Sequence, residues 1–307
     1  MYTPAGSSGV LTLQGADGAI RGVRAFNLAA NTREEFNPAA AAFGVAALPG
    51  DVVRVSVTSG SLQPYVNVVD RGTLDVAAFL PVRAAADSVL PYAGTVVGAG
   101  GRSFVSDLFL SNPDPDTTAE LSLAFYAFLA TGPPLQATVS LPPGTSRALP
   151  DFLREIFGLT SGQGALLVTA NVPVATGVRI AARQTPGDYG GFASGIDGAS
   201  GISGGAATAV GLPQTATLRS NLLLFNRGLA GSLTVTGFRA DGSQAGQITL
   251  EIGDHAVARI NSVFTAFGIA NQPGGRIRVD VPAGMNVYAW TADVDGHSSD
   301  IDLAPLR

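Results

Sequence analysis

The stretch DFLREIFG at residues 151–158 returns as NSVFTAFG at 261–268 and as NPAAAAFG at 37–44. Each copy reads as a single helical turn. Asp151 or Asn261 stands where a cap belongs, apolar residues recur one turn apart, and glycine supplies a left-handed stop. A phrase so short, set among runs of Val, Thr, Gly and Pro, is punctuation in a repeat rather than part of a helical fold. Its expected role is a plug that closes one end of a β-structure with two apolar side chains. In the first copy that face is reduced to alanines apart from Phe43, so this plug buries the least.

The phrase sets the register of a longer repeat. Phe267 lies 224 residues after Phe43, and the same offset carries Asp17-Gly18 onto Asp241-Gly242 and Pro49-Gly50 onto Pro273-Gly274. It also places Val53, Val55 and Val57 on Ile277, Val279 and Val281, and Pro81 and Arg83 on Pro305 and Arg307. A middle copy sits between: Ser106, Leu108, Leu110 and Asn112 match Ser220, Leu222, Leu224 and Asn226 at an offset of 114. A period near half of 224 suits a small globular domain better than a solenoid rung.

Within the middle copy, Ser106–Ser111 alternates apolar and polar, Leu121–Phe128 is a second strand, and Thr138, Val139 and Leu141 begin a third. Asn112-Pro113-Asp114-Pro115 and Thr131-Gly132-Pro133-Pro134 supply the turns. Two further strands follow the plug, at Ala165–Thr169 and Val178–Ala182. The expected fold is all-β: three tandem antiparallel, Ig-like β-sandwich domains, each with one plug helix, spanning 1–83, 84–197 and 198–307. Residues 84–101 and 195–211 are rich in small residues and read as connections, the second as a hinge.

The middle and third copies open with SDLFLSN (106–112) and SNLLLFN (220–226). Under the 224 offset, Met1-Tyr2 falls on Phe225-Asn226, so the first domain is expected to lack its opening strand. Either the sequence starts partway into that domain, or strand complementation by another chain fills the gap.

Composition narrows function. The chain of 307 residues is 46% hydrophobic and 13% charged, with 39 Gly and 19 Pro. All 18 basic residues are arginine, which removes the commonest guard of open sheet edges. A net charge of -5 offers no basic stripe for nucleic acid. Without cysteine there is no disulfide, thiolate metal site or cysteine nucleophile. No transmembrane segment is expected, nor a leader within this sequence.

No catalytic constellation emerges. The two histidines, His255 and His297, share one copy, and no nucleophile elbow accompanies them. The most site-like stretch is DVDGHSSDID (293–302), where Asp293, Asp295, Asp300 and Asp302 crowd a glycine turn and would supply oxygen ligands to calcium. It departs from the EF-hand pattern, and an ordinary acidic hairpin is the competing reading. Tyr288 and Trp290 share one strand face: exposed, they would stack on a sugar ring together with Tyr189 and Phe192, whereas buried, they fill a core.

The middle copy is similar to tandem sandwich repeats of large secreted or cell-surface bacterial proteins. The likeness rests on Ser106-Asp107-Leu108-Phe109-Leu110-Ser111-Asn112-Pro113, Pro143-Gly144, the plug phrase, and Arg183 followed by Gly187-Asp188-Tyr189-Gly190-Gly191-Phe192. The third copy departs, with Arg227 in place of the proline and no Tyr-Gly-x-Phe element. The resemblance implies an exported, non-catalytic role without cofactors and no particular ligand. The expectation is therefore an extracellular or cell-surface structural or adhesive protein. It would assemble with copies of itself, as a filament, or with another surface protein; a glycan-binding accessory module is the alternative.

Overall fold

Strands from Tyr2 to Pro305 pair antiparallel, and among the described residues helix is confined to short plugs, so the fold is all-β in character. The computed structural model describes residues 1–36, 39–69, 76–79, 81–98, 101–130, 132–183, 188–297 and 300–306, with backbone alone at 67–69 and 76–79. Asn37, Pro38, Gly187 and Arg307, used in the sequence comparison, lie outside the described residues.

Two large strand sets repeat one sandwich-like plan. In the middle unit the order across the sheet is Leu135–Leu141, Ala119–Ala127, Gly162–Ala182, Ala85–Val97, Ser103–Ser111 and Ser146–Leu149. The third unit runs Gln244–Ile252, Gly231–Phe238, Gln272–Val281, Gly205–Gln214 and Leu218–Asn226, then Val287–Asp295 and Ile301–Pro305; Ala256–Ile260 pairs with Leu218–Asn226. The alternation that writes these strands is plain at Ala119–Ala127, where Leu121, Leu123 and Phe125 face inward and Glu120 and Ser122 outward.

The two strands expected at 165–169 and 178–182 are one. Gly162–Ala182 pairs over its first half with Ala119–Ala127 and over its second half with Ser103–Ser111, with a register break between Thr169 and Val174. Pro173 lies in that break, where its missing N–H costs no ladder bond. The third unit divides the same path into Gln272–Val281 and Val287–Asp295, joined through Pro282 and Gly284, the latter at φ 91°.

The expected connections are also strands. Ala85–Val97 and Gly205–Gln214 open their units and pair with Gly162–Ala182 and Gln272–Val281. Only the short run between Asp197 and Gly205 connects, and it is fixed rather than hinged. Tyr288 Oη donates to Gly198 O at 2.5 Å, and Ile202 exchanges backbone bonds with Val287.

The Phe-Gly phrase earns its place through packing. Phe152–Phe157 is an α-helix, whereas Ala39–Phe43 and Thr265–Phe267 are 3₁₀ turns. Gly44, Gly158 and Gly268 all take the left-handed conformation that ends the turn. In the outer units the plug phenylalanine rests on a glycine, Phe43 on Gly22 and Phe267 on Gly246, where a Cβ would meet the ring at 3.1 and 3.0 Å. The expected capping by the Asp151 side chain does not occur. Asp151 is itself left-handed at φ 42° and makes no side-chain cap. Instead its N–H donates to Asp107 Oδ1 at 3.0 Å, as Ser262 N–H donates to Asn221 Oδ1 at 2.9 Å. Asp107 is 7% exposed and also receives Arg183. Asp107→Ala should therefore cost about 1–3 kcal/mol in denaturant unfolding, and Asp107→Asn, which keeps the acceptor used in the third unit, clearly less. Equal losses would show that the plug is not anchored there.

Candidate functional site

Strands near the N-terminus repeat part of the plan of the third unit. Ser7–Gln14 falls on Gly231–Phe238 and Ile20–Leu28 on Gln244–Ile252, residue for residue at 224. Ile20–Leu28, Ser7–Gln14 and Val52–Gly60 form a three-stranded sheet. Beside it stand two separate pairs, Tyr2–Thr3 with Thr32–Arg33 and Val66–Val69 with Val76–Phe79. Tyr2–Thr3 corresponds to the end of Leu218–Asn226, a strand that bonds to Ala256–Ile260 on one edge and Val287–Asp295 on the other. Among the described residues Thr32–Arg33 and Val66–Val69, the counterparts of those two neighbours, sit in different sheets.

Equivalent side chains record the consequence. Ile277 and Val281 are 0% and 3% exposed; their counterparts Val53 and Val57 are 37% and 44% exposed. Val55 is half-buried, whereas Val279 is fully buried. Among the described residues Val52–Gly60 pairs only with Ser7–Gln14, so it is a sheet edge with one row of backbone groups facing outward. The edge strand carries one charge, Arg54, which donates to Gln14 Oε1 at 3.2 Å, and around it Arg24 pairs with Glu34 at 2.9 Å and Arg33 with Glu35 at 2.7 Å.

The opposite end is finished differently. The outer face of the middle unit meets the third unit through Val89, Tyr126, Ala165 and Leu167 packed against Phe225 and Tyr288. A second contact buries Leu223, Trp290, Ala292 and Leu303 in the middle unit's own core cluster. Gly191 is required here, because a Cβ on it would stand 2.1 Å from Ile301 O. The third unit's face equivalent to the middle one's carries exposed Arg276 and Arg278 where Ala165 and Leu167 stand. Arg276 lies over the Phe238 ring at 4.1 Å, and Arg278 pairs with Asp280 at 2.6 Å. A further unit could not dock there in the same way without burying both cations.

The aromatic residues proposed for a sugar platform are not one. Tyr288 and Trp290 are buried between units rather than inside a sandwich, and the half-buried Phe192 packs on Phe109 at 5.9 Å. The four aspartates do not gather either. Asp293 and Asp302 are cross-strand partners, but Asp295 Oδ1 accepts His297 N–H and Asp300 Oδ1 accepts Ile301 N–H within the turn. Among the described residues no three carboxylates or histidines are grouped as a metal ion requires. Asp293 is nonetheless perturbed. Burial raises its pKa to about 6, the Ser220 hydroxyl opposes this, and the Asp302 charge adds to it. His255 lies beside Asp254 and stacks on Tyr126 at 5.7 Å, at the edge of a cleft of about 490 Å³ between the middle and third units. No helix among the described residues is long and apolar enough to cross a membrane.

No family model matches the chain, and no curated protein matches it. Among solved structures, that of Thermotoga maritima 1070 aligns at 18% identity over 37% of this chain and 95% of that one. Its TM-score of 0.32 is too low to inform fold or function.

Proposed function

We propose that the chain is a non-catalytic structural or adhesive repeat protein of the cell exterior, three tandem Ig-like sandwich units that associate with a neighbouring chain by β-strand addition at the exposed edge Val52–Gly60. The observation that carries this is the contrast between Val53 and Val57 and their buried counterparts Ile277 and Val281. An apolar sheet edge that an identical plan covers elsewhere in the same chain is a place built to be covered. The exterior location rests on the resemblance to secreted and surface repeats alone. The glycan-binding alternative loses its platform with Tyr288 and Trp290 buried.

Hydrogen exchange on the purified chain tests the reading. Amides of Val52–Gly60 should exchange roughly a hundredfold or more faster than those of Gln272–Val281, because one edge has no partner. Sedimentation across a wide concentration range reports whether a second copy is the neighbour. Equal protection of the two strands in a monomer would mean that the edge is already closed, and the reading would be lost.

A further inference from the structure

A small cavity between the middle and third units is bordered by a positive charge and by hydrogen-bond donors, with no negative charge to match them. It measures about 60 Å³, and its lining includes Tyr92 and Ile180 of the middle unit and Asn221, Leu223, Arg259 and Asn261 of the third. No aspartate or glutamate lines it. We propose that this cavity binds one small inorganic anion, of the size of chloride, held by the Arg259 guanidinium and the side-chain amides of Asn221 and Asn261.

Arg259 crosses the seam. It donates to Gln163 Oε1 and lies over the Phe128 ring at 5.1 Å, both in the middle unit, and it joins no ion pair among the described residues. Half-buried beside Leu223 and Ile180, the guanidinium loses hydration that a neutral amide and a ring replace only in part, so an anion next to it is favoured. The same Gln163 oxygen already accepts Tyr92 Oη at 3.1 Å. Burial pushes the Tyr92 phenol up, so it stays neutral and supplies no negative charge. Asn221 Oδ1 accepts Ser262 N–H, which leaves Nδ2 as its free end. The Asn261 amide, exposed at the mouth, has no hydrogen-bond partner among the described residues. Both amides can donate to an anion.

The middle unit shows the same spot with the negative charge built in. Asn221 stands where Asp107 does at the offset of 114, and Asp107 is the carboxylate that receives Arg183. Arg259 stands where Ala148 does, because Ala148 lies opposite Phe109 and Arg259 opposite Leu223, the counterpart of Phe109. The third unit has thus exchanged a carboxylate for an amide and placed a cation at the same cavity, so the anion must come from solution. Size sets its class. A cavity of about 60 Å³ is far below the roughly 300 Å³ of an organic-ligand pocket, yet it admits a halide-sized ion. Arg259 and Asn221 belong to one unit and Gln163 and Tyr92 to the other, so the ion tightens the seam between them.

The test follows unfolding midpoints of the full chain at constant ionic strength as sodium chloride replaces sodium gluconate, whose anion is too large for the cavity. The midpoint is expected to rise by about 3 °C or more and then level off, as a saturable site requires. Arg259→Gln should abolish the rise, and Arg147→Gln, at an exposed arginine, should leave it intact. Asn221→Asp keeps the acceptor for Ser262 N–H and restores the carboxylate of the middle unit, so this variant should be indifferent to chloride and as stable without it as the native chain is with it. Crystals grown with bromide should show its anomalous signal beside Arg259. Equal midpoints for the native chain in the two salts, or no bromide signal in the cavity, would mean that water alone occupies it and would overturn the proposal. A chloride effect that persists in both Arg259→Gln and Asn221→Asp would overturn it too, by placing the anion elsewhere. If Arg259→Gln does not fold, the aspartate variant and the bromide signal decide the matter.

Discussion

Trp290→Ala is expected to cost about 3–5 kcal/mol and to change the character of unfolding as well as its midpoint. Trp290 is fully buried, and it sits in a cluster that joins Leu223, Ala292 and Leu303 of the third unit to Leu108, Val178 and Ile180 of the middle one. Because this core crosses the boundary between units, the two should melt as one cooperative body in the native chain. Truncating the indole removes the largest side chain of that seam, and circular dichroism should then resolve two transitions. Leu233→Ala, which lies in the third unit's separate core, should lower stability by about 2–5 kcal/mol without decoupling the units. The indole Nε1 has no hydrogen-bond partner, so Trp290→Phe removes an orphaned donor along with some volume and should lose less. A single transition and a loss below about 1 kcal/mol in the alanine variant would contradict the shared core.

Asp293→Asn should stabilise the protein at neutral pH and do nothing for it in acid. The carboxyl titrates near 6 in the fold against an ordinary 3.8, chiefly because burial disfavours its charge. The folded state therefore holds the proton more tightly than the unfolded chain does, and stability falls as pH rises from about 4 through 6. Above that window the charged form is fully penalised, by up to about 3 kcal/mol for such a shift, and about 2 once partial solvent access is allowed for. Paired melts of both proteins from pH 3.5 to pH 8 should show a difference that opens between 4 and 6 and then stays level. A constant difference across the range would place its cause in packing rather than titration. One oxygen of Asp293 has no hydrogen-bond partner, which is the local reason that burial dominates.

The all-β character and the offset that aligns the Phe-Gly phrases were legible because they depend on spacing, which a sequence states directly. The strands Ala85–Val97 and Gly205–Gln214 were not. Their compositions, AADSVLPYAGTVV and GAATAVGLPQ, interrupt their branched residues with Gly, Pro and Ala, which break the strand signal. What makes them strands is the ladder on their neighbours, a tertiary cause with little local sign. Asp151 was misread as a cap for a similar reason, since the acceptor that orders the plug belongs to Asp107 on another strand. The alternation of Tyr288 and Trp290 fixed which face they share but not what covers it, because a seam between units and a sandwich interior ask for the same side chains. The four aspartates were close in the sequence, yet Asp295 and Asp300 turn an oxygen to N–H groups of the turn itself, which spacing alone does not reveal.

Gly162–Ala182 runs unbroken through both halves of the middle unit, whereas the third unit makes the same journey with two strands and a turn. Under a pulling load that difference matters. A pull on the middle unit meets one strand laddered on both sides of its bend, whereas the third unit has a compliant turn, Pro282–Asn286, between its two ladders. Beyond that turn Trp290, Ala292 and Leu303 are gripped by the middle unit's core, so the turn would stretch while both flanking sheets stay in place.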